Sequence, residues 1–193
     1  SIEIIEAKFN EKTTKEDYIK QIMQWNNDQN IDAIFIQVPL INNIIKEDVL
    51  DTIVPEKDLE GVTKLNLARI MYKDETIVPP TARAIIELAE YHGVDFSGKN
   101  VVVINRSYII GKPLIPLLLN RDATPIICHS KTKNLSTLIE DSDIIITGVG
   151  KAGFLNDKLV KKNKTILDAS INFNENGMCG DTDYNNLRES NDI

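Results

Sequence analysis

The second half of this chain alternates short runs of β-branched residues with helix-like stretches, and that alternation constrains the fold more than any other feature. From residue 99 the spacing predicts strand 99–104, helix 112–120, strand 124–128, helix 134–140, strand 143–147, helix 156–161 and strand 164–168. Runs such as VVVI at 101–104 and IIIT at 144–147 are apolar throughout, as strands buried on both faces must be. Strands joined by helices pair in parallel, so the pattern predicts a doubly wound α/β sheet. The same runs fall far short of the ~18 apolar residues that a membrane-spanning helix requires, so no membrane partner is expected.

Upstream, Thr13-x-x-Glu16 has the form of a capping box, and Tyr18, Ile19, Ile22, Met23 and Trp25 follow at helical spacing, predicting a helix over 14–26. The run DAIFIQVPL at 32–40, closed by Pro39, predicts a buried strand with Gln37 at its carboxyl end, where open α/β sheets bind ligands. A short helix at 46–53 and an irregular loop, PEKDLEG at 55–61, come next. Pro79-Pro80 then stops one element, and Thr81 caps a helix that runs to Gly93, its C′ residue. This break marks the expected boundary between domains at 1–79 and 80–193.

A chain of 193 residues buries roughly 70% of its unfolded surface and needs no covalent staple. Its two cysteines, Cys128 and Cys179, have no metal-ligand spacing, and no His/Cys/Asp cluster does, so no metal is expected. The N-terminal SIEIIEAKFN lacks the profile of a signal peptide, which points to a reducing, cytoplasmic setting. With 22 basic against 29 acidic residues the net charge is −7, so most of the surface repels nucleic-acid phosphates. Nucleic acid is set aside as a partner, although a local basic groove can still hold a small anion.

VVVINRSYIIGKP at 101–113 is a strand, a loop and a helix start, the place where dinucleotide-binding sheets put their phosphate turn. Asn105 stands where the first glycine of such turns is found, and Asn tolerates positive φ better than other residues. A plain strand–helix connection fits the spacing equally well. The second strand ends Cys128-His129-Ser130-Lys131-Thr132 with no carboxylate to meet a ribose 2′-hydroxyl; with Arg106 at the first turn, this favours NADP over NAD. Its alternative is a polar loop that caps the next helix. The glycines of TGVGKAGF at 147–154 would let a nicotinamide or a pyrophosphate come close to the backbone. His92 and His129 fit a helix end and a loop, and no serine sits in a nucleophile elbow.

In order and spacing, IQVPL (36–40), PEKDLEG (55–61), INRSYIIGKP (104–113), ATPIICHSKT (123–132), TGVGKAGF (147–154), LDASIN (167–172) and GDTDY (180–184) resemble the bifunctional methylenetetrahydrofolate dehydrogenase/methenyltetrahydrofolate cyclohydrolase family. The resemblance implies two α/β domains: a folate-binding catalytic domain, incomplete here, over 1–79, and a Rossmann-like NADP domain over 80–193. It further implies folate in the cleft between them, oxidation of methylene-tetrahydrofolate with NADP, and hydrolysis of the methenyl product to formyl-tetrahydrofolate. The setting would be one-carbon metabolism and purine biosynthesis, and the assembly a homodimer through the cofactor domain. Residue by residue, Gln37 matches the glutamine that holds the catalytic lysine and the folate, Pro39 lies beside it in the substrate motif, and Glu60 stands where an Asp grips the pterin. Asn105, Arg106, Ser107, Ser130 and Ile171 match the cofactor-contacting positions, Arg106 and Ser130 being those that meet the 2′-phosphate.

The departures are Asn105 for Gly, Glu60 for Asp, Pro80 for the Cys of Pro-Cys-Thr, and Ile41 for the last Pro of Gln-Leu-Pro-Leu-Pro. The family's Tyr-x-x-x-Lys segment and its Pro-Gly-Gly-Val-Gly-Pro loop are not found; Tyr108-x-x-x-Lys112 has the spacing but lies in the cofactor turn. A homologue that binds NADP and folate without chemistry is therefore the competing expectation. A shikimate-type dehydrogenase is a third, opposed by the ordered match of Gln37 and Lys57-Asp58-Leu59-Glu60.

Overall fold

The computed structural model describes residues 2–44, 46–175 and 177–193. The chain divides into two compact units, Ser1–Arg69 with Glu75–Val78 and Ile70–Asp74 with Pro79–Ile193.

In the first unit, helix α1 (Lys15–Asn27) turns Tyr18 and Ile22 inward. Its capping box is Thr14 with Asp17, one residue later than expected: Thr14 Oγ1 accepts from Asp17 N at 3.2 Å, and Asp17 Oδ2 accepts from Thr14 N at 2.9 Å. Thr13 instead accepts from Asn10 N, closing the turn before the helix. Helices α2 (Lys46–Leu50) and α3 (Lys64–Met71) follow, with 3-10 turns at Ile41–Asn43 and Pro55–Lys57. The expected helix over 46–53 thus ends at Leu50, and Thr52 and Ile53 close separate turns. Ile22, Ile34, Ile36, Val49 and Ile53 form the core, with the Phe9 ring 4.0 Å from that of Tyr18 at its edge.

The expected strand over 32–40 is reduced to one parallel bridge, Ile34 with Asp58. Ile34 N donates to Lys57 O at 2.7 Å and Leu59 N to Ile34 O at 3.3 Å. Among the described residues only this short stretch lies beside the segment, and the turn at Pro55–Lys57 bends its partner away, so no ladder extends. Ile34 and Ile36 are buried while Phe35 and Gln37 are exposed, the alternation of a one-sided strand rather than one buried on both faces.

The second unit opens with α4 (Pro80–Tyr91), whose N-cap is Pro79 and not Thr81. Proline at the first helical position has no N–H to leave unsatisfied and its φ suits the helix, so Pro80 starts it. At the other end Val94 N bonds Ala89 O and Gly93 N bonds Glu90 O, both at 3.0 Å, with Gly93 at φ +79°, a Schellman ending. Strands β1 (Asn100–Ile104), β2 (Thr124–Cys128), β3 (Ile144–Thr147) and β4 (Thr165–Asp168) pair in parallel in the order β2-β1-β3-β4, with α5 (Gly111–Leu119) and α6 (Leu135–Glu140) between the first three. Val102, Ile104, Ile145 and Ile166 pack with Ile139 of α6 on one side, and α5 lies against β1 and β2.

The expected helix over 156–161 is a single turn, with Leu159 and Val160 N both on Asn156 O. Leu155 just before it bridges Thr182, its N–H on Asp181 O and its carbonyl on Asp183 N, and this extended tie holds the chain out of helix. A hairpin of β5 (Asn172–Asn174) and β6 (Gly177–Cys179), absent from the sequence expectation, and α7 (Tyr184–Leu187) complete the unit.

Helix α5 begins so close to the end of β1 that a Cβ on Gly111 would stand 2.0 Å from the Asn105 carbonyl oxygen. No flexible side chain can yield there, because the obstacle is backbone. Gly111→Ala is expected to cost about 3 kcal/mol in urea unfolding of the second unit. An unchanged midpoint would show that α5 can shift away from β1.

Candidate functional site

The order β2-β1-β3-β4 sends the chain from β1 to one side of the sheet and from β3 to the other, so a crevice opens at their carboxyl ends. Three turns meet there: residues 105–110 after β1, 129–132 after β2 and 148–151 after β3.

The first turn is organised by the side chain of Asn105. Its Oδ1 accepts from Ser107 N at 2.7 Å and Gly111 N at 3.1 Å, and its Nδ2 donates to Gly148 O at 2.6 Å. Asn105 is not among the residues with positive φ, so it replaces a turn glycine through its amide and not through its backbone, contrary to expectation. Ser107 Oγ accepts from Ile110 N at 3.1 Å, while Arg106 is exposed and makes no hydrogen bond or ion pair among the described residues. The Lys112 ammonium sits 3.6 Å from the centroid of the Tyr108 ring.

Register places the second turn beside the first, since Ile104 pairs with Cys128. Burial pushes the Cys128 thiol up from its ordinary value, against a smaller opposing effect of Thr132, so it is no nucleophile. His129 N donates to Thr132 Oγ1 at 2.8 Å and Lys131 N to His129 Nδ1 at 3.1 Å, which leaves Ser130 exposed at the tip with no carboxylate nearby in sequence. Asn105, Arg106, Ser107 and Ser130 are therefore brought together. Ile171, 71% exposed, lies beyond β4, three strands from Ser130.

The third turn depends on Asp181, which has no exposed surface. Its Oδ2 accepts from Thr147 Oγ1 at 2.8 Å, Val149 N at 2.7 Å and Ser170 Oγ at 2.6 Å; its Oδ1 accepts from Lys151 N at 2.7 Å and Asn172 Nδ2 at 3.1 Å. Nearby, Asp168 accepts from Ser170 N and Thr182 N, and lies so close over Gly180 that a Cβ there would be 2.2 Å from Oδ2. The backbone amides of Val149 and Lys151 are spent on Asp181, so the loop is no anion nest, and the Val149 side chain is 43% exposed. Asp181 has no role in the sequence expectation, although GDTDY is one of the family motifs.

In the first unit, Gln37 and Pro39 are exposed and Glu60 half-buried. Gln37 Nε2 donates to Val38 O at 3.1 Å. Gln37 and Glu60 leave the same parallel bridge, Ile34 with Asp58, in the same direction, which brings their two segments side by side. Their neighbours hold the scaffold: Lys57 Nζ donates to the carbonyls of Trp25, Asn26 and Asp28 at 2.9, 3.0 and 2.7 Å, capping α1. Asp58 Oδ2, buried, accepts from Thr63 N at 2.8 Å and Asn66 Nδ2 at 3.0 Å, closing the loop that carries Glu60.

Burial raises the Asp181 carboxyl, but the bonds from Ser170, Lys151, Thr147 and Val149 together outweigh it and hold the group below the ordinary carboxylate range. A lowered folded-state pKa contributes stability that is complete above the unfolded value, about 3.9, and is lost as pH falls through the folded value. Asp181→Asn is therefore expected to cost about 2–4 kcal/mol at pH 7 in urea unfolding, and the gap to the parent should narrow as pH drops below about 4. A gap that is constant with pH would remove the charge from this account.

Two family models match along the chain: the tetrahydrofolate dehydrogenase/cyclohydrolase catalytic domain over residues 1–60 and its NAD(P)-binding domain over residues 79–193. The bifunctional protein FolD 2 of Lactobacillus johnsonii is 40% identical over 176 residues, covering 91% of this chain and 62% of that protein. The chain thus spans somewhat under two thirds of that relative's length. The bifunctional FolD dehydrogenase/cyclohydrolase of Campylobacter jejuni superposes with a TM-score of 0.89 at 32% identity, over 94% of this chain and 65% of the other. The Trypanosoma brucei enzyme, solved with NADP cofactor and inhibitor, gives 0.83 at 29% identity, over 93% and 64%. With both domain models met in order, and the motif residues Asn105 to Ser107 lying at the sheet's switch point, the chain belongs to the tetrahydrofolate dehydrogenase/cyclohydrolase family.

Proposed function

We propose that this chain serves NADP-dependent oxidation of methylene-tetrahydrofolate and hydrolysis of the methenyl product to formyl-tetrahydrofolate, with 1–79 as the folate-binding part and 80–193 as the cofactor domain. The observation that carries the reading is the pair of adjacent turns bearing Arg106 and Ser130, an exposed cation and an exposed hydroxyl at the ends of β1 and β2, with no carboxylate in either turn. This donor set suits a ribose 2′-phosphate and would offer a bare 2′-hydroxyl no carboxylate acceptor. A dinucleotide held there would supply the hydride acceptor for oxidation of the one-carbon bridge. Asn105 and Ser107 shape the turn that would hold it, and the exposed Ile171 would offer it an apolar contact.

On the folate side Gln37, Pro39 and Glu60 bind the folate, Gln37 at the position that in the family also holds the catalytic lysine. Loss of hydride leaves a cationic iminium, to which water must add with a base nearby, while Glu60 grips the pterin. The family membership supports a place in one-carbon metabolism and purine biosynthesis, a cytoplasmic setting and a homodimer. The hairpin favours the dimer: Phe173 and Met178 are cross-strand partners, exposed by 79% and 73%. An apolar pair of that exposure on a hairpin suits a second copy of the same surface.

Arg106→Ala is expected to weaken NADP by about 1.5–3 kcal/mol, the worth of one charge-assisted contact, and NAD much less. Equal losses in parallel titrations would overturn the assignment. Glu60→Gln should leave the thermal midpoint nearly unchanged and reduce affinity for a tetrahydrofolate derivative. A large fall in midpoint with folate binding intact would make Glu60 structural.

A further inference from the structure

We propose that Asp181 is a positioning residue for the dinucleotide: it sets the shape of the 148–151 loop without touching the ligand. This rests on the dinucleotide reading given above. The loop is held from two sides. On one, Asn105 Nδ2 donates to Gly148 O; on the other, Val149 N and Lys151 N both donate to the Asp181 carboxylate. Between these, Gly150 N donates to Ser170 Oγ at 3.3 Å, and the Ser170 hydroxyl donates to Asp181 at 2.6 Å. The three successive amides 149–151 therefore converge, directly or through Ser170, on one buried carboxylate. Gly150, at φ +76°, lets the chain bend so that this convergence is possible.

A carboxylate that only stabilised the fold could take its donors from anywhere. Here two of its five are backbone amides of the turn that closes the crevice after β3, and a third comes from the serine holding the amide between them. Arg106 and Ser130 lie at the ends of β1 and β2, whereas this loop follows β3, on the other side of β1. The contribution of Asp181 thus falls on the part of the ligand that NAD and NADP share.

The test uses the 193-residue chain and its Asp181→Asn and Ser170→Ala variants, titrated with NADP and with NAD at neutral pH and at a temperature where near-ultraviolet circular dichroism is native. Asp181→Asn should weaken both dinucleotides by the same factor, about tenfold, because the loop is displaced and not the phosphate contacts. Ser170→Ala, which leaves Asp181 four of its five donors, should weaken both about threefold. Arg106→Ala, by contrast, separates the two cofactors. Unchanged dissociation constants in both variants, whatever their melting temperatures, overturn the proposal. So does a loss confined to NADP. If Asp181→Asn does not fold, Ser170→Ala decides alone, and parental affinity in it overturns the proposal. A parent chain that binds neither dinucleotide refutes the dinucleotide reading itself, and this inference falls with it.

Discussion

The ladder of β1 and β3, Val101 to Ile104 against Ile144 to Thr147, is buried on both faces, and the rest of the second unit is arranged around that fact. A parallel strand with no wet face can carry polar side chains only at its ends. The amino ends are taken up with capping and turn bonds such as Asn100 N on Asp143 Oδ2. What remains for chemistry is the carboxyl edge, where Thr147, Asp168, Asn105 and Ser130 collect within a few residues of the last strand positions. The apolar strands thus do more than supply a core: they determine which residues can face a ligand at all.

At that edge two different physical devices secure one loop. Asn105 acts as a neutral clip: one side-chain amide both accepts from the turn's backbone and donates across to Gly148, satisfying groups that a glycine-rich turn would leave to the ligand or to water. Asp181 is a charged anchor whose desolvation is offset by donors from 147–151 and 170–172. Removing either strands its partners, though the charged anchor leaves more of them unsatisfied.

Much of this was legible in the residues. The strand at 124–128 matches its expected bounds, and the other three strands shift by one residue at the start, because apolar β-branched runs bounded by turn residues admit little else. The misses have two causes, local choices between adjacent capping residues and tertiary hydrogen bonds that local patterns do not encode. Thr13 and Thr14 are equally good caps in isolation, and Asp17 rather than Glu16 decides between them. The segment after Leu155 has helical spacing, yet the backbone of Leu155 just before it is claimed by Asp181 and Asp183, and only one turn forms. The stretch 32–40 reads as a strand, but among the described residues its backbone pairs only with 57–59. In the candidate site, Arg106 and Ser130 were visible as an exposed cation and hydroxyl at strand ends. Asp181 was not, since its importance comes from five donors, all of them at least nine residues away in sequence from it and none predictable from spacing.

The Asp181 anchor also changes how the loop after β3 behaves in time. Val149 and Lys151 have the exposure of ordinary surface residues, and amides of such residues normally exchange with solvent deuterium almost as fast as in an unfolded chain. Here each is bonded at 2.7 Å to a carboxylate with no exposed surface, so exchange must wait for Asp181 itself to be uncovered. A solvent-facing turn thereby acquires the protection pattern of the strand that precedes it, and its opening becomes part of the same cooperative unit as β3, Ser170 and the base of the hairpin.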